Sequence, residues 1–183
     1  MKCLPSCLLT LLLGFIFSFT VAQKLPNLDK SPLDFAYFPH NYPHDGGKEL
    51  VARVIYSRPS KNDRKIFGNI IPFGEVWRIG ANESTEIEFY KNIKINGKDV
   101  EKGAYTLYAI PGEKNWTFII NTARHTWGAY KYNLKDDVVR MEVPVNKTKN
   151  STEALTLMFS DEKGMGQLYM FWDDTEVVLP FEY

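Results

Sequence analysis

Residues 105–121 carry the pattern that decides the fold, and they read YTLYAIPGEKNWTFIIN. Two short runs rich in β-branched and aromatic residues, 105–110 and 116–121, flank a turn signal at Pro111 and Gly112. Runs of this length and composition are typical of strands, and a proline–glycine turn between them returns the second strand along the first. The stretch therefore predicts an antiparallel β-hairpin.

The same strand pattern recurs on both sides of this hairpin, and no segment has the periodicity of an amphipathic helix. Asn96-Gly97 is a strong hairpin signal after the run 93–95, because a type I′ turn needs positive φ at both central residues. Asp173 and Asp174 are predicted to turn the last two strands into each other. The other predicted strands are 50–57, 85–90, 138–145, 155–160, 167–172 and 177–181.

About nine strands with short connections favour an antiparallel β-sandwich of the jelly-roll or immunoglobulin-like type, with a closed barrel as the alternative. We expect one such domain over residues 49–183. Residues 23–48 contain four prolines and two consecutive glycines without helical periodicity. They are predicted to form an extended, turn-rich lead-in.

The N-terminus has the features of a secretory signal. Lys2 precedes an apolar run over residues 8–20, and small residues end the segment at residue 22. We expect residues 1–22 to be cleaved; the alternative is an uncleaved anchor, although the run is shorter than the ~20 residues of a membrane span. Cleavage would remove both cysteines, Cys3 and Cys7, and leave no transmembrane segment. The predicted localisation is periplasmic, outer-envelope or secreted.

The composition excludes several classes of function. The chain has 22 Lys and Arg against 22 Asp and Glu, a formal net charge of zero, whereas nucleic-acid binders usually show a basic excess. The sequence has no phosphate-binding loop, dinucleotide fingerprint or Gly-x-Ser-x-Gly elbow. We therefore predict no nucleic-acid partner and no cofactor, and the pattern indicates no particular oligomeric state.

The densest candidate site is the segment 66–83, which mixes glycines, large apolar residues and isolated polar groups. It predicts either a ligand pocket, with Trp77 as a stacking platform and Arg78 or Asn82 as donors, or a buried ion pair and capped turns. Arg58 would bring a guanidinium to the same rim, or else be a solvated charge at a strand end. The candidate binding residues of this segment are Glu75, Trp77, Arg78, Asn82 and Glu83.

A second candidate lies in residues 121–132, between two predicted strands. His125, Trp127 and Tyr130 stand there beside Gly128, which lets the chain bend. Aromatic rings with polar edges suit sugars or planar ligands through stacking and hydrogen bonding. The alternative is a loop that folds back over one open end of the sandwich, with its rings serving as packing.

Three further groupings carry no site prediction. His40, His44 and Asp45 resemble a metal-ligand set, but Pro43 disfavours the helix that their spacing would need, so no metal site is predicted.

Glu86 and Glu88 alternate along a predicted strand. Acids in this pattern are typical of a solvated strand face, and we interpret them so rather than as a glycosidase pair. Ser57 or Ser60 with His125 would make a hydrolytic pair, but no local motif supports it.

Several stretches together resemble an uncharacterised family of exported bacterial proteins, classed as a domain of unknown function. They are SPLD (31–34), VIYSRP (54–59), IFG (66–68), PFGEVWR (72–78), GANE (80–83), GAYTLYAIP (103–111) and WGAY (127–130). The resemblance runs from about residue 31 to the C-terminus and implies an exported protein in a bacterial host, without a reaction or catalytic residues. Members often carry threonine where this chain has Ile79, so either a ligand contact is lost or one core residue replaces another.

The function that we expect is that of an exported, non-catalytic β-sandwich that binds a small molecule, a glycan or an envelope partner. Its site would combine Arg58 with the segments 75–83 and 125–132. The alternative is an exported hydrolase that uses Glu75 or Glu83 as acid or base near His125, with Arg78 stabilising negative charge.

Overall fold

The computed structural model of the chain describes residues 23–40, 42, 44 and 49–183. The predicted signal peptide, residues 1–22, and Asp45 lie outside the described residues. Within them, ten strands and one 3₁₀ helix, Leu134–Asp136, form the regular structure. The strands are β1 (Leu33–Phe38), β2 (Ala52–Ser57), β3 (Glu86–Phe89), β4 (Ile93–Ile95), β5 (Lys98–Val100), β6 (Gly103–Ile110), β7 (Asn115–Asn121), β8 (Asp137–Pro144), β9 (Asn146–Glu162) and β10 (Met165–Phe181).

The first layer is a six-stranded sheet in the order β1-β2-β3-β6-β7-β8, with every neighbouring pair antiparallel. The predicted hairpin is β6–β7, the fourth and fifth strands in this order, in which Leu107 pairs with Ile120. Side chains along each strand alternate between two faces. One face, which we call the inner face, packs on the second layer, and the other is the outer face.

The second layer is built from two hairpins. β9 and β10 pair over most of their length, and β4 pairs with β5. Lys94 of β4 and Glu182, which follows β10, exchange two backbone hydrogen bonds of 2.9 Å. These bonds join the hairpins in the order β9-β10-β4-β5, so the layer has four strands.

A single apolar core fills the space between the two layers. Phe38 of β1 has its ring centroid 5.8 Å from that of Phe159 in β9 and 5.5 Å from that of Phe181 in β10. The indoles of Trp77 and Trp172 stack with centroids 5.9 Å apart. Because these aromatic rings bury large apolar areas, they supply much of the hydrophobic stabilisation.

The antiparallel β-sandwich prediction is confirmed, and the sheets do not close into a barrel. The Asn96-Gly97 turn also forms as its sequence requires, with φ of 51° and 71°. Here the local turn chemistry and the strand alternation agree with the tertiary fold.

Residues 33–38 differ from the prediction, because they form β1 inside the predicted lead-in. Phe38 faces the core, while Leu33 and Phe35 lie on the outer face and are exposed. Pro32 and Pro39 end the strand on both sides, since a proline nitrogen cannot donate to the ladder. The sheet thus begins before residue 49.

The predicted turn at Asp173 and Asp174 is wrong. β10 continues through both residues, and its register with β9 shifts between Phe171 and Asp173 and between Asp173 and Thr175. Asp173 has a φ of 54°. One left-handed residue in a long strand produces a bulge rather than a reversal, because the partner strand continues beside it.

The described residues contain no helix with the length and apolar character needed to cross a membrane.

Candidate functional site

Residues 122–133, here called the cover loop, lie across the outer face of the six-stranded sheet. Four polar residues stand side by side in one row across that face, which we call the anchor row. In register order they are Glu86 of β3, Thr106 of β6, Asn121 of β7 and Asp137 of β8.

Each member of the anchor row bonds to the cover loop or its immediate neighbour. Thr106 Oγ1 donates to the Ala123 carbonyl at 2.6 Å, and Asn121 Oδ1 accepts from the Ala123 nitrogen at 2.9 Å. Asn121 Nδ2 donates to the Asn133 carbonyl at 3.2 Å and to Asp137 Oδ1 at 2.8 Å. Thr106 and Asn121 are fully buried. Their polar groups can be buried because the loop supplies their partners.

Two further contacts fix the cover loop. Tyr132 donates its phenol proton to Asp137 Oδ2 at 2.7 Å, and Arg140 Nε donates to the same oxygen at 2.7 Å. Partial burial and this bond to Asp137 raise the pKa of Tyr132. The hydroxyls of Tyr108 and Thr126 lie 3.0 Å apart. The loop is therefore held along its whole length.

A cleft of about 310 Å³ opens between the cover loop and the edge of the sheet. Its volume lies at the lower end of the range for small-molecule sites. It combines an apolar side, formed by Leu33 of β1 and Ile55 of β2, with polar groups from the two loops. The other lining residues are Tyr56, Ser57, Glu83, Ser84, Glu86, His125, Thr126 and Trp127.

Glu83 and Trp127 form an isolated antiparallel bridge at the rim of the cleft. The Ser84 nitrogen donates to the Thr126 carbonyl at 2.9 Å, and the Gly128 nitrogen donates to the Asn82 carbonyl at 3.0 Å. These two bonds flank the Glu83–Trp127 pair, which makes it a non-hydrogen-bonded pair, the kind whose side chains approach most closely. Trp127 is 60% exposed. A carboxylate and an open indole thus stand side by side.

His125 is held by Glu86. Glu86 Oε1 accepts from the His125 backbone nitrogen at 2.9 Å and lies 3.0 Å from His125 Nδ1. The Glu86 side chain is 28% exposed and that of His125 is 74% exposed. The contact orients the imidazole, with Nδ1 facing the carboxylate and the rest of the ring open to solvent.

Ser57 supplies a buried hydroxyl at the same cleft. It lies on the outer face, because it pairs with Leu33 and alternates with Tyr56, whose side chain enters the core. The residue is 1% exposed, and its Oγ has no hydrogen-bond partner among the described residues. An unpaired buried hydroxyl is costly and calls for an explanation.

Asn82, Arg78 and Tyr130 lie next to the cleft but do not line it. The Asn82 side chain donates to Asp29 at 3.0 Å. A Cβ built on Gly128 would lie 2.7 Å from the Tyr130 ring and 3.4 Å from Arg78 Nη1, so both side chains flank this glycine. Tyr130 is 82% exposed.

Three predicted site residues lie elsewhere. Arg58 donates to Asp34 at 2.9 Å and to the Leu155 carbonyl at 3.0 Å, which ties β1 and β9 together. Glu75 is exposed in a turn whose Gly74 nitrogen donates to the Pro111 carbonyl. Trp77 is 5% exposed within the core, so its ring offers no open face to a ligand.

The structure therefore brings Glu83, His125 and Trp127 together and separates them from Arg58, Glu75 and Trp77. Sequence reasoning missed Glu86 as a site residue, because alternation with Glu88 suggested a solvated face. The role of Glu86 depends on its contact with His125, 39 positions away in the chain, and the local sequence pattern carries no signal of that contact.

No cluster of three or more potential metal ligands occurs among the described residues. His40 and His44 are exposed and line a different, larger cleft beside β1 and β9.

A sequence model of the family described as "Protein of unknown function (DUF2911)" matches residues 44–181, which is well over half of the chain. The chain belongs to the DUF2911 family. The match includes β2 to β10 and begins after the SPLD stretch. No curated protein and no solved structure matches the chain.

This DUF2911 chain has Ile79 where threonine was expected, and the burial of this residue helps to decide between the two interpretations of that difference. Ile79 is completely buried and belongs to the apolar core. The structure favours the second interpretation, in which one β-branched core residue replaces another.

Proposed function

We propose that this DUF2911 protein is an exported, non-catalytic β-sandwich that binds a sugar ring in the cleft beside Trp127. The observation that carries the proposal is the open indole at the rim of a cleft with both an apolar and a polar side. Sugar rings stack their apolar face on aromatic side chains, while their hydroxyls bond to carboxylates and hydroxyls. Glu83, Glu86 and Ser57 offer such groups.

The tryptophans provide a direct measurement of binding. Trp77, Trp116 and Trp172 are each 5% exposed or less, whereas Trp127 is 60% exposed. A water-soluble quencher such as iodide should therefore act almost entirely on Trp127 fluorescence. A sugar that stacks on this ring should protect it from the quencher.

The test is a glycan array with residues 23–183, followed by titration of the best sugar under iodide quenching for the wild type and by calorimetry for the wild type and every variant, because the Trp127 variants lack the fluorescent reporter. Trp127→Ala should weaken binding about tenfold, the size of an aromatic stacking contribution of ~1–1.5 kcal/mol. Trp127→Phe should retain part of the affinity. Phe73→Ala removes an exposed aromatic outside this cleft and should leave binding unchanged. Absence of sugar binding, or equal binding by Trp127→Ala, would refute the proposal.

The second candidate function is a hydrolase, and one observation favours it: Glu83 and His125 line the same cleft. Glu75 lies outside this cleft, so Glu83 is the acid or base of this alternative. Glu83→Gln should then abolish release of reducing ends from the bound sugar while retaining most of the affinity. A protein that binds without turnover contradicts the alternative.

Export is part of the proposal and has its own test. Mass spectrometry of the protein recovered outside the inner membrane should find a mature N-terminus at Gln23. Recovery of the uncleaved chain from the cytoplasm would contradict export.

A further inference from the structure

The charges around the cleft point to a particular class of ligand. The acidic residues and histidine that line it are Glu83, Glu86 and His125, and no lysine or arginine of the described residues lines it. Among the lining residues the two carboxylates outnumber the one imidazole, and the nearest guanidinium described above, that of Arg78, lies beside Gly128 and outside the lining. An anionic ligand would meet repulsion here, whereas a cation would be attracted.

The two carboxylates are not equivalent. Glu86 Oε1 already accepts from His125 through two nitrogens. The carboxylate of Glu83 has no hydrogen-bond or ion-pair partner among the described residues. Glu83 is therefore the group that remains available to a bound cation.

The Glu83–Trp127 pair places two cation-binding groups beside each other. A carboxylate accepts charge-assisted hydrogen bonds from an ammonium, and the face of an indole attracts a cation within about 6 Å of its centre. The non-hydrogen-bonded bridge keeps the two side chains on the same side of the ladder. An ammonium between them would interact with both.

Ser57 gives an independent indication that a ligand enters the cleft. Ser57 is one of the residues that line the cleft, and its Oγ is buried and lacks a partner among the described residues. If the Ser57 side chain turns toward the cleft, its Oγ can pair with a hydroxyl or ether oxygen of a ligand that enters beside Leu33. The ligand therefore needs a polar group at its inner end as well as its cation at the rim.

We propose that the cleft selects a ligand with a protonated amine on a compact ring, and that an amino sugar is its natural form. The site is that of the proposed function, and the sugar part of the inference rests on it. The amine preference rests only on Glu83, Trp127 and the charge of the lining.

Four probes separate the two parts: glucosamine, glucose, cyclohexylamine and cyclohexanol. Each is titrated into residues 23–183 at a pH where the amines are protonated, and Trp127 protection from acrylamide, a neutral quencher, is measured. Glucosamine should bind about fivefold more tightly than glucose, which corresponds to roughly 1 kcal/mol for a partly exposed ion pair. The preference should shrink at 1 M salt, where the screening length falls from about 10 Å at 0.1 M to about 3 Å.

Single substitutions test whether Glu83 causes the preference for the amine and whether Ser57 contributes to sugar binding. Glu83→Gln should bring the affinity for glucosamine down to that for glucose, while Glu101→Gln, which removes an exposed carboxylate outside the cleft, should change neither. Ser57→Ala should weaken both sugars by a similar factor and leave cyclohexylamine unaffected. Circular dichroism spectra confirm that each variant is folded.

The possible outcomes are distinct. Equal affinities for glucosamine and glucose would overturn the amine inference and leave the sugar proposal standing. Binding of cyclohexylamine alone would support the amine inference and refute the sugar proposal. Failure of all four probes would overturn both.

Discussion

The inner and outer faces of the six-stranded sheet are held to their neighbours by different forces. On the inner face, apolar side chains of both layers form one continuous core. On the outer face, the anchor row holds the cover loop through hydrogen bonds, three of them made by the fully buried Thr106 and Asn121. Apolar packing is non-directional, whereas hydrogen bonds fix geometry. The first face therefore stabilises the fold, and the second positions the cleft.

The largest test of this comparison is Trp116→Ala on the inner face. Trp116 is 1% exposed and its ring centroid lies 4.7 Å from that of Phe67. Removing a buried indole leaves a cavity, so the free energy of unfolding should fall by about 3–5 kcal/mol in urea denaturation. Trp127→Ala is the matched control on the outer face and should change it by less than about 0.5 kcal/mol. Similar losses in both variants would contradict the division between the faces.

Asn121→Ala tests the anchor row, with a smaller expected effect. The substitution leaves the Ala123 nitrogen and the Asn133 carbonyl without the side chain that bonds them, at a cost of about 1–3 kcal/mol. Amide hydrogen exchange should accelerate mainly in residues 122–133, because the loop opens locally. Asn115→Ala, on the exposed end of the same strand, is the control. Uniform acceleration through the core strands would show that Asn121 stabilises the whole fold instead.

The smallest expected effect is a shift in the pKa of Tyr90, whose phenol bonds to Glu88 of β3. Partial burial, together with the hydrogen bond that Tyr90 donates to Glu88 at 2.8 Å, raises the pKa of Tyr90 to about 12. Because this folded-state pKa exceeds the usual ~10, its contribution to stability is complete below about pH 10 and is lost as the pH rises to about 12.

The hydrogen bond to Glu162 also raises the pKa of Tyr169 to about 12. The difference between ultraviolet titrations of the wild type and of Tyr90→Phe should therefore isolate Tyr90, and Glu88→Gln should move the pKa of Tyr90 part of the way back. Loss of no late-ionising phenol in Tyr90→Phe would contradict the arrangement of Tyr90 and Glu88.

The parts of the fold that the sequence predicts are those encoded locally. Alternation and turn residues locate the β6–β7 hairpin and the Asn96-Gly97 turn, because both depend on neighbours in the chain. The bulge at Asp173 escapes such reasoning, since two consecutive aspartates fit a turn equally well. Only the continuing partner strand β9 decides between them.

The candidate site divides in the same way. The segment 66–83 is irregular, so no periodicity indicates which side chains enter the core. Trp77 does so because its backbone pairs with Ala109, while Glu83 pairs with Trp127 at the cleft. These pairings join residues far apart in sequence, and composition alone carries no signal of them.

The backbone of the segment that leads from Ile79 to Glu83 affects how the cleft binds a ligand. Ile79 adopts a φ of 53° although its side chain is β-branched and fully buried, a conformation that costs about 1–3 kcal/mol. Asn82 and His125, on the two sides of the cleft, also have positive φ, of 59° and 54°. Such backbone persists only where its surroundings fix it. The cleft is thus preorganised, and a ligand that fits it would bind with little loss of conformational entropy.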